Sequence, residues 1–161
     1  MKKIVKIGLF VLLAFSATSN VSASSTPSPA PLDLVVSFDW QEYKTVDGIK
    51  IEYKYQEFET GTFRNSLMVL FRYSNISSES RTISWSTEEY RNEICANCEN
   101  IANPEYARSI TLSAGEVLEG TGSDVTKTEE YLFSNFITLV PGMTNQRLTD
   151  FQFVNINVSI L

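Results

Sequence analysis

The chain has 161 residues, two cysteines, no histidine, and 19 acidic against 13 basic side chains, a formal charge of −6. Without histidine there is no Ser-His-Asp or Cys-His nucleophile pair, no imidazole base near neutral pH and no histidine-rich zinc site. The acidity sets the chain against phosphate backbones and anionic lipid, so nucleic acid is not an expected partner.

Lys2, Lys3 and Lys6 precede an apolar run over Ile7 to Phe15, and Val21-Ser22-Ala23 closes it with small residues. The run is too short to span a bilayer comfortably. This tripartite pattern predicts a signal peptide over residues 1–23. The expected product is exported to the periplasm or beyond the cell and keeps no membrane anchor. Ser24 to Pro31 is a Ser/Pro linker with nothing to bury. Residues 32–161 are then one domain, large enough for a real core. Without the leader lysines its formal charge is −9, from 10 basic and 19 acidic residues.

Leu32, Leu34, Val36, Phe38 and Trp40 alternate with more polar neighbours, which predicts a half-buried strand. Asp47-Gly48 predicts a tight hairpin turn to a strand carrying Ile49, Ile51, Tyr53 and Tyr55. Pairing Val46 with Ile49 places Glu42 and Lys44 on the apolar face, so the tip projects beyond the core or a bulge shifts the register. Leu67, Val69, Phe71 and Tyr73 alternate next, then Ile83 and Trp85. The polar segment Asn75 to Ser80 between them has turn composition, and the pair reads as a central hairpin. A loop from Glu88 to Pro104 follows, with the cysteines in it.

Tyr106 to Leu112 alternates toward the turn Ser113 to Glu116, and Val117-Leu118-Glu119 reads as a short return strand. Gly120 to Thr128 is a polar loop. Tyr131 to Leu139 is apolar and β-rich, stopped by Pro141-Gly142. In the last segment the apolar phase changes between Phe153 and Val154, which predicts a bulge or a strand buried on both faces. No helical stripe exceeds about two turns. The expected fold is all-β, a single immunoglobulin-like β-sandwich of seven to eight antiparallel strands, with a closed barrel second. Trp40, Phe71, Ile83, Trp85, Phe136 and Phe151 are its expected core.

The leader, D-G-I-K-I-E-Y-K-Y, the Asn-x-Ser turn and the C-x-x-C loop followed by N-P-E-Y form one pattern with I-T-L-S-A-G-E and L-T-D-F-Q-F-V-N-I-N-V. It resembles small exported Bacteroidetes-type proteins with an immunoglobulin-like sandwich and no assigned activity. The resemblance implies a fold and carries over no catalytic residue.

Cys95-Ala96-Asn97-Cys98 has four readings: a local disulfide, a redox dithiol, half of a metal site, or two free thiols. Export favours the disulfide. Glu93 and Glu99 beside the cysteines oppose a stabilised thiolate, and no second pair completes a tetrahedral site. Glu57, Glu59, Glu88, Glu89, Asp124, Glu129 and Glu130 fit solvated strand ends, and no calcium-loop pattern is present. Among aromatics that can stack on a sugar, Trp85 falls in phase with the core, Tyr43 is a candidate, and Tyr90 is expected to be exposed. The two Asn-x-Ser matches at Asn75 and Asn157 read as chance matches beside a bacterial leader.

The functional expectation is a non-enzymatic binding or accessory module, without cofactor or metal, that meets an envelope protein or glycan through its loops. Tyr90 and Arg91 are its expected binding residues, in a loop pre-ordered by Cys95–Cys98, while Ile94 and Ile101 there either join the surface or cap the core. The alternative is an enzyme, either a CxxC thiol-disulfide oxidoreductase or a carboxylate-based hydrolase.

Overall fold

In the computed structural model, residues 36–161 are described. The expected leader, the linker and residues 32–35 of the opening strand lie outside them. Nine strands follow in order: β1 (Gln41–Val46), β2 (Ile49–Phe58), β3 (Ser66–Asn75), β4 (Arg81–Arg91), β5 (Ile94–Cys95), β6 (Ala107–Leu112), β7 (Val117–Glu119), β8 (Tyr131–Phe136) and β9 (Leu148–Ile160). Two 3-10 turns, Cys98–Asn100 and Pro104–Tyr106, lie between β5 and β6. The strands form two antiparallel sheets packed as a sandwich. One runs β1-β2-β3, with β7 and β8 end to end along the far edge of β3. The other centres on β4, with β9 along one edge and β6 then β5 along the other.

The first hairpin forms where Asp-Gly predicts it. Asp47 and Gly48 both take positive φ, and Val46 pairs with Ile49. The register slips between Glu42 and Lys44. This bulge at Tyr43 lets its ring reach the core, stacked 5.2 Å from Phe151, while Glu42 stays exposed. A second bulge in β9 answers the phase change. Asn155 takes φ +54, Ser84 pairs with Asn157 and Ser86 with Val154. The inward set therefore moves from Phe151 and Phe153 to Ile156 and Val158.

Strand β3 is paired with β2 over ten residues from Ile49–Asn75 to Phe58–Ser66. Its other edge takes β7 and β8, so no edge is left for β4. The expected central hairpin of β3 with β4 is thus a crossing from one sheet to the other. Asn75, buried at the corner, fixes it. Its Nδ2 donates to the carbonyls of Glu79, Leu112 and Ser113, and its Oδ1 accepts from the Ser77 N–H and hydroxyl. The turn Ser113 to Glu116 crosses as well, because β7 pairs with β3 and not with β6.

The core lies between the sheets. Phe71, Tyr73, Trp85, Phe151 and Phe153 pack ring against ring, with Ile49, Ile51, Ile83 and Leu112 around them. Of the six expected core residues, Phe71, Ile83, Trp85 and Phe151 are buried there. Phe136 is 37% exposed at the end of β8. Trp40 lies on the opposite face of the first sheet, over Lys54 and Arg72. The cause is local: the Ser37 hydroxyl takes the Asp39 N–H and the Gln41 amide, bending the chain before β1 and breaking the alternation. No strand runs through residues 36–40.

That same outer face has a smaller apolar layer. Met68 and Leu70 point away from the core and are still buried. The loop after β7 returns over this side, with Gly122 against the Phe58 ring, Phe58 on Phe63 and Phe63 on Tyr131.

Candidate functional site

The end of β4 is a strand as far as Arg91, not a loop. Tyr90 pairs with Cys95 on one side and Asp150 on the other. Asn92 and Glu93 both take positive φ and turn the chain back into β5. The two cysteines form a disulfide of sequence separation 3. The Asn97 side chain between them is buried and acts as a missing strand residue. Its Nδ2 donates to the Thr87 carbonyl at 2.8 Å, and its Oδ1 accepts from the Glu89 N–H at 2.9 Å. The Ala96 N–H donates to the Glu89 carbonyl. The C-x-x-C segment thus fills the gap that β5 and β6 leave along the edge of β4. Among the described residues no group of three or more potential metal ligands gathers here or elsewhere.

Tyr90 is half-buried. Its hydroxyl donates to the Glu88 carboxylate at 3.1 Å and lies 3.8 Å from Cys98 Sγ. Burial and the Glu88 carboxylate push its phenol above the usual range. Of the expected binding pair it is the less committed. Arg91 is spent on the fold. Its Nη2 donates to Glu89 Oε2 at 2.7 Å and to the Phe133 carbonyl at 3.0 Å, and its Nη1 to the carbonyls of Ser134 and Gln146, both at 3.3 Å. Ile94 is 73% exposed and caps nothing. Ile101 is half-buried.

What Arg91 holds is the connection from β8 to β9, residues 137–147. Two asparagines in left-handed backbone grip its ends. Asn65 (φ +62) takes the Thr138 N–H on Oδ1, gives Nδ2 to the Thr138 carbonyl and receives the Ile137 N–H on its own carbonyl. Asn92 (φ +49) takes the Arg147 N–H on Oδ1, gives Nδ2 to the Asn145 carbonyl and donates its N–H to Arg147. Asparagine tolerates this conformation better than most L-residues. A cavity of about 280 Å³ lies between these anchors, lined by Arg91, Phe133, Phe136, Leu139 and residues 144–146. Ile137, Leu139 and Val140 are 42%, 44% and 55% exposed beside it, a denser run of exposed apolar side chains than a solvated turn needs. Pro141-Gly142 then turns the chain.

So the structure brings Arg91 to the cavity wall, leaves Tyr90 on the neighbouring strand face, and makes Cys95 and Cys98 a staple behind both. Tyr43, a sugar-stacking candidate, packs against the core, and Trp85 is buried in it as expected. Leu139, Asn65 and Asn92 escaped the sequence reading, and Phe136, expected in the core, lines the cavity instead. The available signal was the run Phe136-Ile137-Thr138-Leu139-Val140 before Pro-Gly, which continues four residues past the end of β8.

The raised carboxyls are Asp150, by burial, and Glu130, by burial and by Glu129. Glu130 precedes β8, where its carbonyl accepts the Phe71 N–H. Asp150 is the third residue of β9, where its Oδ1 accepts the Phe151 N–H. Glu89 is neutralised by Arg91, and Asp124 is held below the usual range by Thr126 in its own loop. No family model, curated protein or solved structure matches this chain.

Proposed function

We propose that the protein is an exported, non-enzymatic binding or accessory module that meets a partner protein through the 137–147 loop. The observation that carries this reading is the cavity beside Phe136, Ile137, Leu139 and Val140, apolar side chains exposed on a loop gripped at both ends. Apolar contacts on a pre-ordered loop lose little entropy on association, and an anchor side chain entering such a cavity is how interfaces concentrate their energy. Arg91 contributes by positioning the loop. Tyr90 lies on the adjoining strand and extends the surface.

A photo-activatable residue at Leu139 tests this in the native cells. It should give a discrete adduct that Thr111, exposed on β6, does not give. Equal adducts at both positions, or turnover of a disulfide or glycan substrate by the purified protein, would overturn the reading. Export is tested separately by intact mass, which should begin at Ser24; a mature form retaining Lys2 would contradict it.

A further inference from the structure

Strand β9 is the outer strand of its sheet, paired with β4 from Leu148 to Ile160. The Leu161 N–H donates to the Ser80 carbonyl, so strand alternation turns the N–H and carbonyl of Val158 and Ile160 to the opposite edge. Among the described residues no hydrogen bond meets them there. The other half of that edge is covered: the Tyr43 hydroxyl takes the Phe153 N–H, and the bulge at Asn155 ends that half. Folded proteins guard free edges with charge, bulges or cover. Here β1 carries Glu42 and Lys44, β6 carries Arg108, β7 carries Glu119, and β8 gives carbonyls to Arg91. Residues 154–161, V-N-I-N-V-S-I-L, have neither charge nor proline. Ile156 and Val158 are only partly buried against the core, and Ile160 is 57% exposed.

We propose that this edge pairs with the same edge of a second copy, antiparallel, about a two-fold axis at Val158. The side-chain pattern selects the occupant. I-N-V-S-I reads alike in both directions, β-branched at 156, 158 and 160 and uncharged polar at 157 and 159. Antiparallel pairing sets Val158 against its own copy, Ile156 against Ile160 of the second copy, and Asn157 against Ser159 of the second copy. A two-fold contact has to be self-complementary in this way. Val158 exchanges two backbone hydrogen bonds across the axis, and two four-stranded sheets become one. The rest of a chain of net charge −6 opposes self-association, and this segment is neutral. The overlap is short, so the dimer dissociates on dilution into the micromolar range. Leu148 lies at the far end of β9, so the two 137–147 loops face opposite ways. On the reading above, the pair would meet two partners, but the edge contact does not depend on that reading.

Sedimentation equilibrium of the purified protein from about 1 to about 300 µM tests this. The mass should rise from one chain to two and no further. Amide exchange at Val158 and Ile160 should slow over the same range and stay unchanged at Phe71. Asn157→Lys with Ser159→Lys sets like charges opposite each other across the axis and should weaken association about tenfold. Asn157→Lys with Ser159→Glu sets opposite charges there and should restore it. Both side chains are exposed, opposite Ser84 and Thr82 of β4, so the fold tolerates them, which circular dichroism checks. Leu139→Ser should leave the mass profile unchanged, so the two surfaces fail or stand separately. A single-chain mass at every concentration overturns the assignment and leaves the edge to a strand of another protein. So do association past two chains, unaltered association in the folded double-lysine variant, or no recovery with the lysine–glutamate combination.

Discussion

The sandwich interior and the 137–147 end are built from the same kinds of side chain, with opposite results. Between the sheets, Phe151 touches the rings of Tyr43, Tyr53, Phe71 and Phe153, contributed by four strands. At the loop end, Phe136 has one aromatic neighbour among the described residues, Phe133, from its own strand. What differs is whether a second sheet arrives to cover the ring. Where it does not, polar groups hold the chain, and the apolar side chains are left facing outward.

The sharpest way to break this comparison is to truncate one ring from each region. Phe151→Ala should lose about 3–5 kcal/mol of unfolding free energy, from lost burial plus a cavity. Phe136→Ala should lose about 1–2 kcal/mol, since more than a third of the residue is exposed and it packs on a single ring. Equal losses in denaturant melts would mean that the loop end is a second core. Arg91→Ala comes next. It leaves the Phe133, Ser134 and Gln146 carbonyls without their donor and the half-buried Glu89 unpaired, at about 1–3 kcal/mol. Amide exchange should accelerate across residues 137–147 and stay slow at Phe71 and Phe153. Lysine should not rescue it, because a point charge cannot replace a planar fork with four acceptors.

Reducing Cys95–Cys98 should have a smaller effect. The closed loop is short, so the stabilisation falls below the typical ~2–4 kcal/mol. Loosening should be confined to residues 94–100, read by amide exchange. The smallest effect is electrostatic, and its sign differs between two carboxylates. Arg72 and Lys50 hold Glu52 below the usual carboxylate range, so its contribution is complete above that range and is lost as pH falls through its lowered value. Burial raises Asp150, so its charge opposes folding at neutral pH, and this penalty disappears below the ordinary carboxylate value. Glu52→Gln should therefore destabilise at pH 7 and become neutral in strong acid. Asp150→Asn should stabilise slightly at pH 7 and lose that gain in acid. Parallel melts across pH check both.

Local rules were legible in the sequence, and partners were not. Asp47-Gly48 specifies its turn because only a few residues accept that backbone. The phase change after Phe153 marks its bulge because alternation must be repaired somewhere. Alternation assigns a face, however, and says nothing about which strand lies alongside. That is why β3 and β4 read as a hairpin although they belong to different sheets. Trp40 kept the phase of Val36 and Phe38 on paper, and three hydrogen-bonding residues around Ser37 and Asp39 undid it. The loop clamps were out of reach for another reason. Asn65 meets Thr138 across 73 positions and Asn92 meets Asn145 across 53, separations that no window of neighbouring residues contains.

The position of β4 has a kinetic consequence. The β2–β3 hairpin can close on itself as soon as both strands exist. The β9 edge of β4 cannot, although β5 folds back on the other edge at once, because β9 pairs Ile160 with Arg81 and Leu148 with Arg91. Each pairing closes a long loop before it yields any contact, and such topologies fold slowly. Until that closure this edge of β4 displays unpaired backbone, the kind of surface on which partly folded chains associate. Refolding should therefore show early protection in β2 and β3 and late protection in β4, with yield falling as protein concentration rises.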